Sequence, residues 1–297
     1  MLAAVALLLF FGLLALVGRA CLSSASAEGG GHTTAALKLP AASLTGLAAG
    51  ACQSFAPTGK SRGRTVFIDP GHGGPDPGVL GRTASGTQLN ESVVALAVAT
   101  ELARQLRSDG YGVVLSRTAN TSVLRFDPSE VNSGAFTATQ VRRDLQARVR
   151  CANSSRAAAL ISIHFNGYQD ATAGGTQTFY DTARPFAAQN VRLAQSLQSA
   201  MVSRLNLTDR GLVTDDELQA PTLSDRAGSY GHLLLLGPPE PGWLDEGTSM
   251  PGALVEPLFL TAPAEAALAA SPDGQRRLAA ALEAGVESYL ADTAAHP

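Results

Sequence analysis

Three residues able to hold a metal or move a proton, His72, His164 and Glu256, each follow directly on a short apolar run. The first run, Thr65-Val66-Phe67-Ile68, stops at Asp69-Pro70-Gly71-His72-Gly73-Gly74, an acid, a proline and a glycine-flanked imidazole. β-Branched and aromatic residues favour a buried strand, and the glycines allow turns in which backbone comes close to whatever the imidazole touches. The second run, Ala157-Ala158-Ala159-Leu160-Ile161-Ser162-Ile163, ends on His164, and the third, Ala253-Leu254-Val255, ends on Glu256. In an open parallel sheet the carboxyl ends of the strands share one edge, where ligands bind. Two imidazoles and a carboxylate at such an edge suit Zn²⁺, which in catalytic sites commonly uses three protein ligands plus water. The spacing does not force this, because the chain has no compact H-x-x-x-H unit. Strand-end histidines hydrogen-bonded within turns are the other reading of the same residues.

The elements that must position these residues are legible from Arg64 onward, where short apolar runs alternate with amphipathic segments. That pattern predicts an α/β fold: a twisted, mostly parallel sheet with helices on both faces, in a single catalytic domain. A helix is expected over 91–108, with Asn90 as its cap, Gly110 as its stop and Val94, Ala97, Leu102 and Leu106 near helical spacing. Further strands are expected at 111–116, 175–180 and 230–236, and further helices at 141–155, 185–205 and 273–291. Residues 118–140 read as a polar insertion, Asp209-Arg210-Gly211 as a turn, and 214–229 and 237–252 as loops. The arginines of the second helix, Arg142, Arg143, Arg148 and Arg150, read as a solvated face.

Composition bounds the rest. With 297 residues, 45% hydrophobic and 16% charged, the chain has material for a core, which excludes disordered and fibrous classes. A net charge of -3 with two lysines, Lys38 and Lys60, argues against a nucleic-acid partner. Residues 2–17 are one apolar run, followed by Ala25-Ser26-Ala27, the h-region and cleavage pattern of a secretory signal. The run is shorter than the ~20 apolar residues of a spanning helix, so no stable membrane insertion is expected after cleavage. Gly18-Arg19-Ala20 before Cys21 is a poor lipoprotein pattern. The expected organisation is a signal peptide over 1–27, a flexible Gly/Ala/Ser/Thr-rich leader over 28–63, a catalytic domain over 64–292 and a tail over 293–297. Export to the periplasm, cell wall or medium would leave Cys52 and Cys151 in an oxidising compartment, where a disulfide between them is expected. A monomer is expected.

The motifs resemble those of the zinc-dependent N-acetylmuramoyl-L-alanine amidases that cut bacterial peptidoglycan. The likeness runs from about residue 64 to 291 and rests on Ile68-Asp69-Pro70-Gly71-His72-Gly73-Gly74, then Glu91, then Ser162-Ile163-His164-Phe165-Asn166, then Leu254-Val255-Glu256 with Phe259-Leu260, in the family's order. The resemblance implies His72, Glu91 and His164 as zinc ligands and Glu256 as the catalytic carboxylate. Glu91 enters only through it, since a first-turn glutamate is otherwise explained by the helix dipole. The implied reaction is hydrolysis of the amide between the lactyl group of N-acetylmuramic acid and L-alanine, on peptidoglycan or its fragments. A zinc peptidase acting within the stem peptide and a non-catalytic wall-binding protein on the same fold are the alternatives. Asp69 is expected to hold a ligand histidine, and His232 to line the core or the cleft, with substrate contact a further role. His32 and His296 are expected to be solvated. Pro257-Leu258 stands where the family more often has Leu-Gly, and Ala95 where Asn is common. The regulated members' longer helical insertion has no counterpart in the short, Pro-containing 118–140 segment, so autoinhibition is not expected.

Overall fold

The computed structural model describes residues 44–295 apart from 132–133, 219–222 and 226–227. The signal segment, the first part of the leader, Cys21, His32 and His296 lie outside the described residues. In chain order the elements are β1 (Ala51–Phe55), β2 (Thr65–Pro70), β3 (Leu80–Arg82), β4 (Gln88–Asn90), α1 (Glu91–Ser108), β5 (Gly112–Arg117), α2 (Ala138–Ser155), β6 (Ala159–Ile163), β7 (Thr176–Tyr180), α3 (Ala187–Leu205), β8 (Asp209–Thr214), β9 (Leu223–Asp225), β10 (Gly228–Tyr230), β11 (Gly252–Glu256), α4 (Pro263–Ala270) and α5 (Pro272–Ala295).

The central sheet has seven strands in the order β1-β5-β2-β6-β11-β7-β8. β5, β2, β6 and β11 run parallel, β1 is antiparallel to β5, and β7 and β8 are parallel to each other but reversed relative to β11. Strand period 2 sends alternate residues of β2 to opposite faces. Val66 and Ile68 pack with α1, α3 and α5, while Phe67 packs with α2 and the leucines after β10. Helices therefore cover both faces, as the alternation of runs predicts. Among the described residues, no helix is long and apolar enough to cross a membrane.

Several local expectations are corrected. Ala51–Phe55, assigned to a flexible leader, forms an edge strand on β5, and the Cys52–Cys151 disulfide ties it to α2. Asp209-Arg210-Gly211 opens β8 instead of turning the chain. Its turn chemistry, Gly211 N–H donating to Asp209 Oδ1 and Gly211 at φ 83°, is absorbed at a shift in the β7–β8 register. The run 230–236 is a strand only up to Tyr230. Leu233 O then accepts from both Leu236 and Gly237 N–H, and the turned leucines pad the sheet face beside α2. Pro263–Ala270 adds a helix that the sequence reading passed over.

Candidate metal centre

The parallel block brings His72, two residues past β2, His164, directly after β6, and Glu256, the last residue of β11, to one edge of the sheet. Glu91 joins them from the first position of α1. Asn90 occupies the cap position but its side chain makes no capping bond. Instead Glu91 N–H donates to Val79 O and Ser92 N–H to Pro77 O, so the loop that follows His72 docks the helix start.

Three side-chain atoms converge. His72 Nε2 lies 3.0 Å from Glu91 Oε1, His164 Nδ1 lies 3.0 Å from the same oxygen, and the two imidazole nitrogens are 3.1 Å apart. A tetrahedral zinc site with bonds of about 2.0–2.1 Å puts its ligand atoms roughly 3.3 Å apart, so this near-equilateral triangle suits such an ion. The donor set fits as well. His72 Nδ1 lies 2.8 Å from Asp76 Oδ2, and a neutral ring donating there would turn its Nε2 lone pair to a cation at the centre. Glu91 Oε1 also accepts from Phe165 N–H, and Oε2 accepts from Val79 N–H at 2.7 Å, fixing the carboxylate plane.

The electrostatics follow from burial. Desolvation opposes charge on His72, but the Glu91 and Asp76 carboxylates overcome it and push the imidazole up to about 10. Desolvation likewise opposes ionisation of Glu91, and His72 and His164 override it and hold the carboxyl well below its usual range. Glu256 is only partly compensated: burial, then the Glu91 charge, raise it to about 8 against the opposing pull of His72. Its Oε2 is buried without a hydrogen-bond partner among the described residues.

The loop carrying His72 is held under constraint. His72 itself adopts φ 58°, in the left-handed region. A Cβ on Gly71 would sit 2.4 Å from the His164 ring, so that glycine is what lets the two imidazoles meet. Two buried guanidiniums grip the backbone: Arg117 donates to Pro70 O and Gly71 O, and Arg148 donates to Pro70 O and His72 O.

This overturns two expectations. Asp69 does not hold a histidine, because its oxygens accept from Ser116, Ser162 and Arg148; the residue that does so is Asp76, four positions after His72. Arg148 is not on a solvated face. It is 2% exposed and paired with Asp69 and Asp144 at 2.8 and 2.9 Å. A cavity of about 620 Å³ opens between the β3–β4 hairpin and the segment after His164, lined by Leu80, Arg82, Leu89, Asn90 and Tyr168 among others and by no residue of the triad.

Residues 66–288 match the family model described as N-acetylmuramoyl-L-alanine amidase. The chain belongs to that family. The amidase is 28% identical over 230 residues to the germination-specific N-acetylmuramoyl-L-alanine amidase of Bacillus subtilis, covering 77% of this chain and 81% of that protein. It superposes on the crystal structure of an N-acetylmuramoyl-L-alanine amidase from Clostridium difficile 630 with a TM-score of 0.54 at 30% identity, over 77% of this chain and 97% of the other. The CwlD amidase of Clostridioides difficile, solved in complex with the GerS lipoprotein, shares the fold at 22% identity and a TM-score of 0.58, over 77% of this chain and 99% of that one. Family membership makes the protein a hydrolase of the bond between N-acetylmuramic acid and L-alanine. The stem-peptide peptidase and the non-catalytic wall binder both give way to it.

Proposed function

We propose that the amidase is zinc-dependent, with His72, Glu91 and His164 as the metal ligands and Glu256 as general base and acid. The observation that carries the reading is the 3.0–3.1 Å triangle of His72 Nε2, Glu91 Oε1 and His164 Nδ1. Zn²⁺ held there would polarise the scissile carbonyl and lower the pKa of water to about 7. Glu256 then takes the proton of the attacking water as hydroxide adds to the lactyl carbonyl carbon. It delivers that proton to the alanine nitrogen as the C–N bond breaks, leaving a free lactyl carboxyl and a free amine. Burial beside the Glu91 charge raises Glu256 in the metal-free protein, and a dication at the triad would oppose that shift and favour the carboxylate that the first step requires.

The remaining residues orient. Asp76 fixes the His72 tautomer, the Val79 and Phe165 N–H groups fix Glu91, and Arg117 with Arg148 holds the His72 loop. The cavity lined by Leu80, Arg82 and Tyr168 is of a size suited to part of a glycopeptide, and we assign it to substrate. Signal cleavage after Ala27 and action in the cell wall are part of the same reading, supported by the secretory pattern of residues 2–27 and by the disulfide.

The test is zinc content of purified protein together with turnover of muramyl dipeptide, with and without a chelator. Stoichiometric zinc, loss of activity on chelation and release of stems beginning with L-alanine, identified by mass, are expected. Full turnover by metal-free protein would overturn the zinc assignment, and products cut inside the stem would overturn the bond assignment.

A further inference from the structure

A second cluster of ligating side chains lies away from the triad. Asp181 directly follows β7 and Asp215 directly follows β8. These strands are parallel neighbours, with Tyr180 opposite Thr214, so the two aspartates emerge side by side. β7 and β8 run opposite to β2, β6 and β11, which places the aspartates on the other edge of the sheet. At the rise of a strand of this length, the two edges are roughly 15 Å apart. His232, two residues past β10, comes to the same spot. Its Nδ1 is 2.9 Å from Asp181 Oδ2 and 3.2 Å from Asp215 Oδ1. The histidine thus serves this cluster and not the substrate cleft.

Both carboxylates are fully buried, while His232 is 23% exposed in its side chain and opens the cluster to solvent. Each carboxylate has one oxygen fixed by backbone: Ala183 N–H donates to Asp181 Oδ1, and Leu233 N–H donates to Asp215 Oδ2. The other two oxygens face the imidazole. One N–H can serve only one of them with good geometry, and it is aligned on Asp215. Asp181 Oδ2, although 2.9 Å from Nδ1, is buried with no well-aligned hydrogen-bond donor among the described residues. Two buried anions facing one ring nitrogen are costly without a further positive charge. All three ligand atoms lie within 4.8 Å of one another. The pattern of one nitrogen and two pre-oriented carboxylate oxygens, with the outer oxygens held by N–H groups, is that of a first-row divalent cation site.

We propose that Asp181, Asp215 and His232 form a second zinc-type cation site, through Asp181 Oδ2, Asp215 Oδ1 and His232 Nδ1, separate from the catalytic triad. The cation joins the ends of β7 and β8 to the segment that follows β10, and so fastens that segment onto the sheet. Its role is structural, because a site absent from the unfolded chain contributes its binding energy to folding.

The experiment is titration of zinc(II) into chelator-treated protein, read by calorimetry and by metal analysis after desalting, with folding checked by circular dichroism. The wild type binds two equivalents. His72→Ala/His164→Ala retains one, and adding His232→Ala removes it. Asp181→Asn/Asp215→Asn also binds one, and zinc raises the melting temperature of the His72→Ala/His164→Ala protein. A wild type that binds a single equivalent, lost in full with His72→Ala/His164→Ala, overturns the proposal in favour of a shared proton. An equivalent that survives His232→Ala in that background overturns it as well. If the aspartate variant fails to fold, the His72→Ala/His164→Ala and wild-type stoichiometries decide alone. Because each site is removed separately, failure of this proposal leaves the catalytic zinc assignment standing, and the reverse holds.

Discussion

Replacing Arg148 with methionine tests whether the His72 loop is held from beneath. The guanidinium pairs with Asp69 and Asp144 and donates to Pro70 O and His72 O, all out of water. Methionine keeps much of the stem volume and removes every one of those bonds. Breaking a buried pair from one side costs about 3–5 kcal/mol, because the abandoned charge stays buried. Asp69 keeps Ser116 and Ser162, and Asp144 keeps the N–H groups of Val123 and Leu124, which argues for the lower end, about 3 kcal/mol. For a domain of this size that is a drop of roughly 6–12 °C in melting temperature. The same change frees the backbone that sets His72 at φ 58°, so zinc affinity should fall by about 10–100-fold, as for other supporting contacts of ligands. Lysine at 148 should rescue little, since one ammonium cannot span four acceptors. Adding Asp69→Asn to Arg148→Met should recover part of the loss, because it removes one of the stranded charges. The assays are urea unfolding of chelator-treated protein and competition titration of zinc. A loss below about 1 kcal/mol with unchanged zinc affinity would refute the argument.

Glu256→Gln should lower kcat on muramyl dipeptide by about 10²–10⁴-fold while zinc stoichiometry stays intact; near-normal kcat would remove Glu256 from the chemistry. Asp76→Asn weakens the acceptor that orients His72 and should cut zinc affinity by about 10–100-fold, measured by competition with a chromogenic chelator, whereas an unchanged constant would leave the tautomer argument without support. Reducing Cys52–Cys151, which closes a loop with a sequence separation of 99, should cost about 2–5 kcal/mol by unfolding with and without reductant. For metal-free protein, stability should fall as pH rises from about 6 to 9. His72, raised to about 10 when folded, loses its contribution as pH climbs from 6.5 through that value. Glu256, raised to about 8, holds a proton that the unfolded chain releases near 4.5, so it acts with the same sign between 4.5 and 8. A urea midpoint that climbs across this window would contradict both shifts, and Glu256→Gln should flatten its lower part.

His72, His164 and Glu256 were legible because strand ends are marked by local residue types: a β-branched run meeting Gly and His says where the chain turns and what it presents. Glu91 was legible only through the resemblance, since nothing local separates a helix-dipole glutamate from one aimed at a metal. Asp76 was hidden for a different reason. Asp69 lies near the end of β2, three residues before His72, and so looks like its natural partner, yet period 2 contradicts that choice. Asp69 has the parity of Phe67, which packs toward α2, and Ser162 has the parity of Leu160 on the same face. Ser116 has the parity of Val114, also on that face. The strands therefore lay Ser116, Asp69 and Ser162 side by side beneath α2, facing away from the imidazoles. The helix answers with its own period: Asp144, Arg148, Cys151 and Ser155 are spaced by four, three and four residues and all are buried. A charge on that stripe cannot be a solvated one, whatever the polarity of its neighbours Arg142 and Arg143. Read together, the two periods place a cation over a buried aspartate, and that pair forms the floor on which the His72 loop is set.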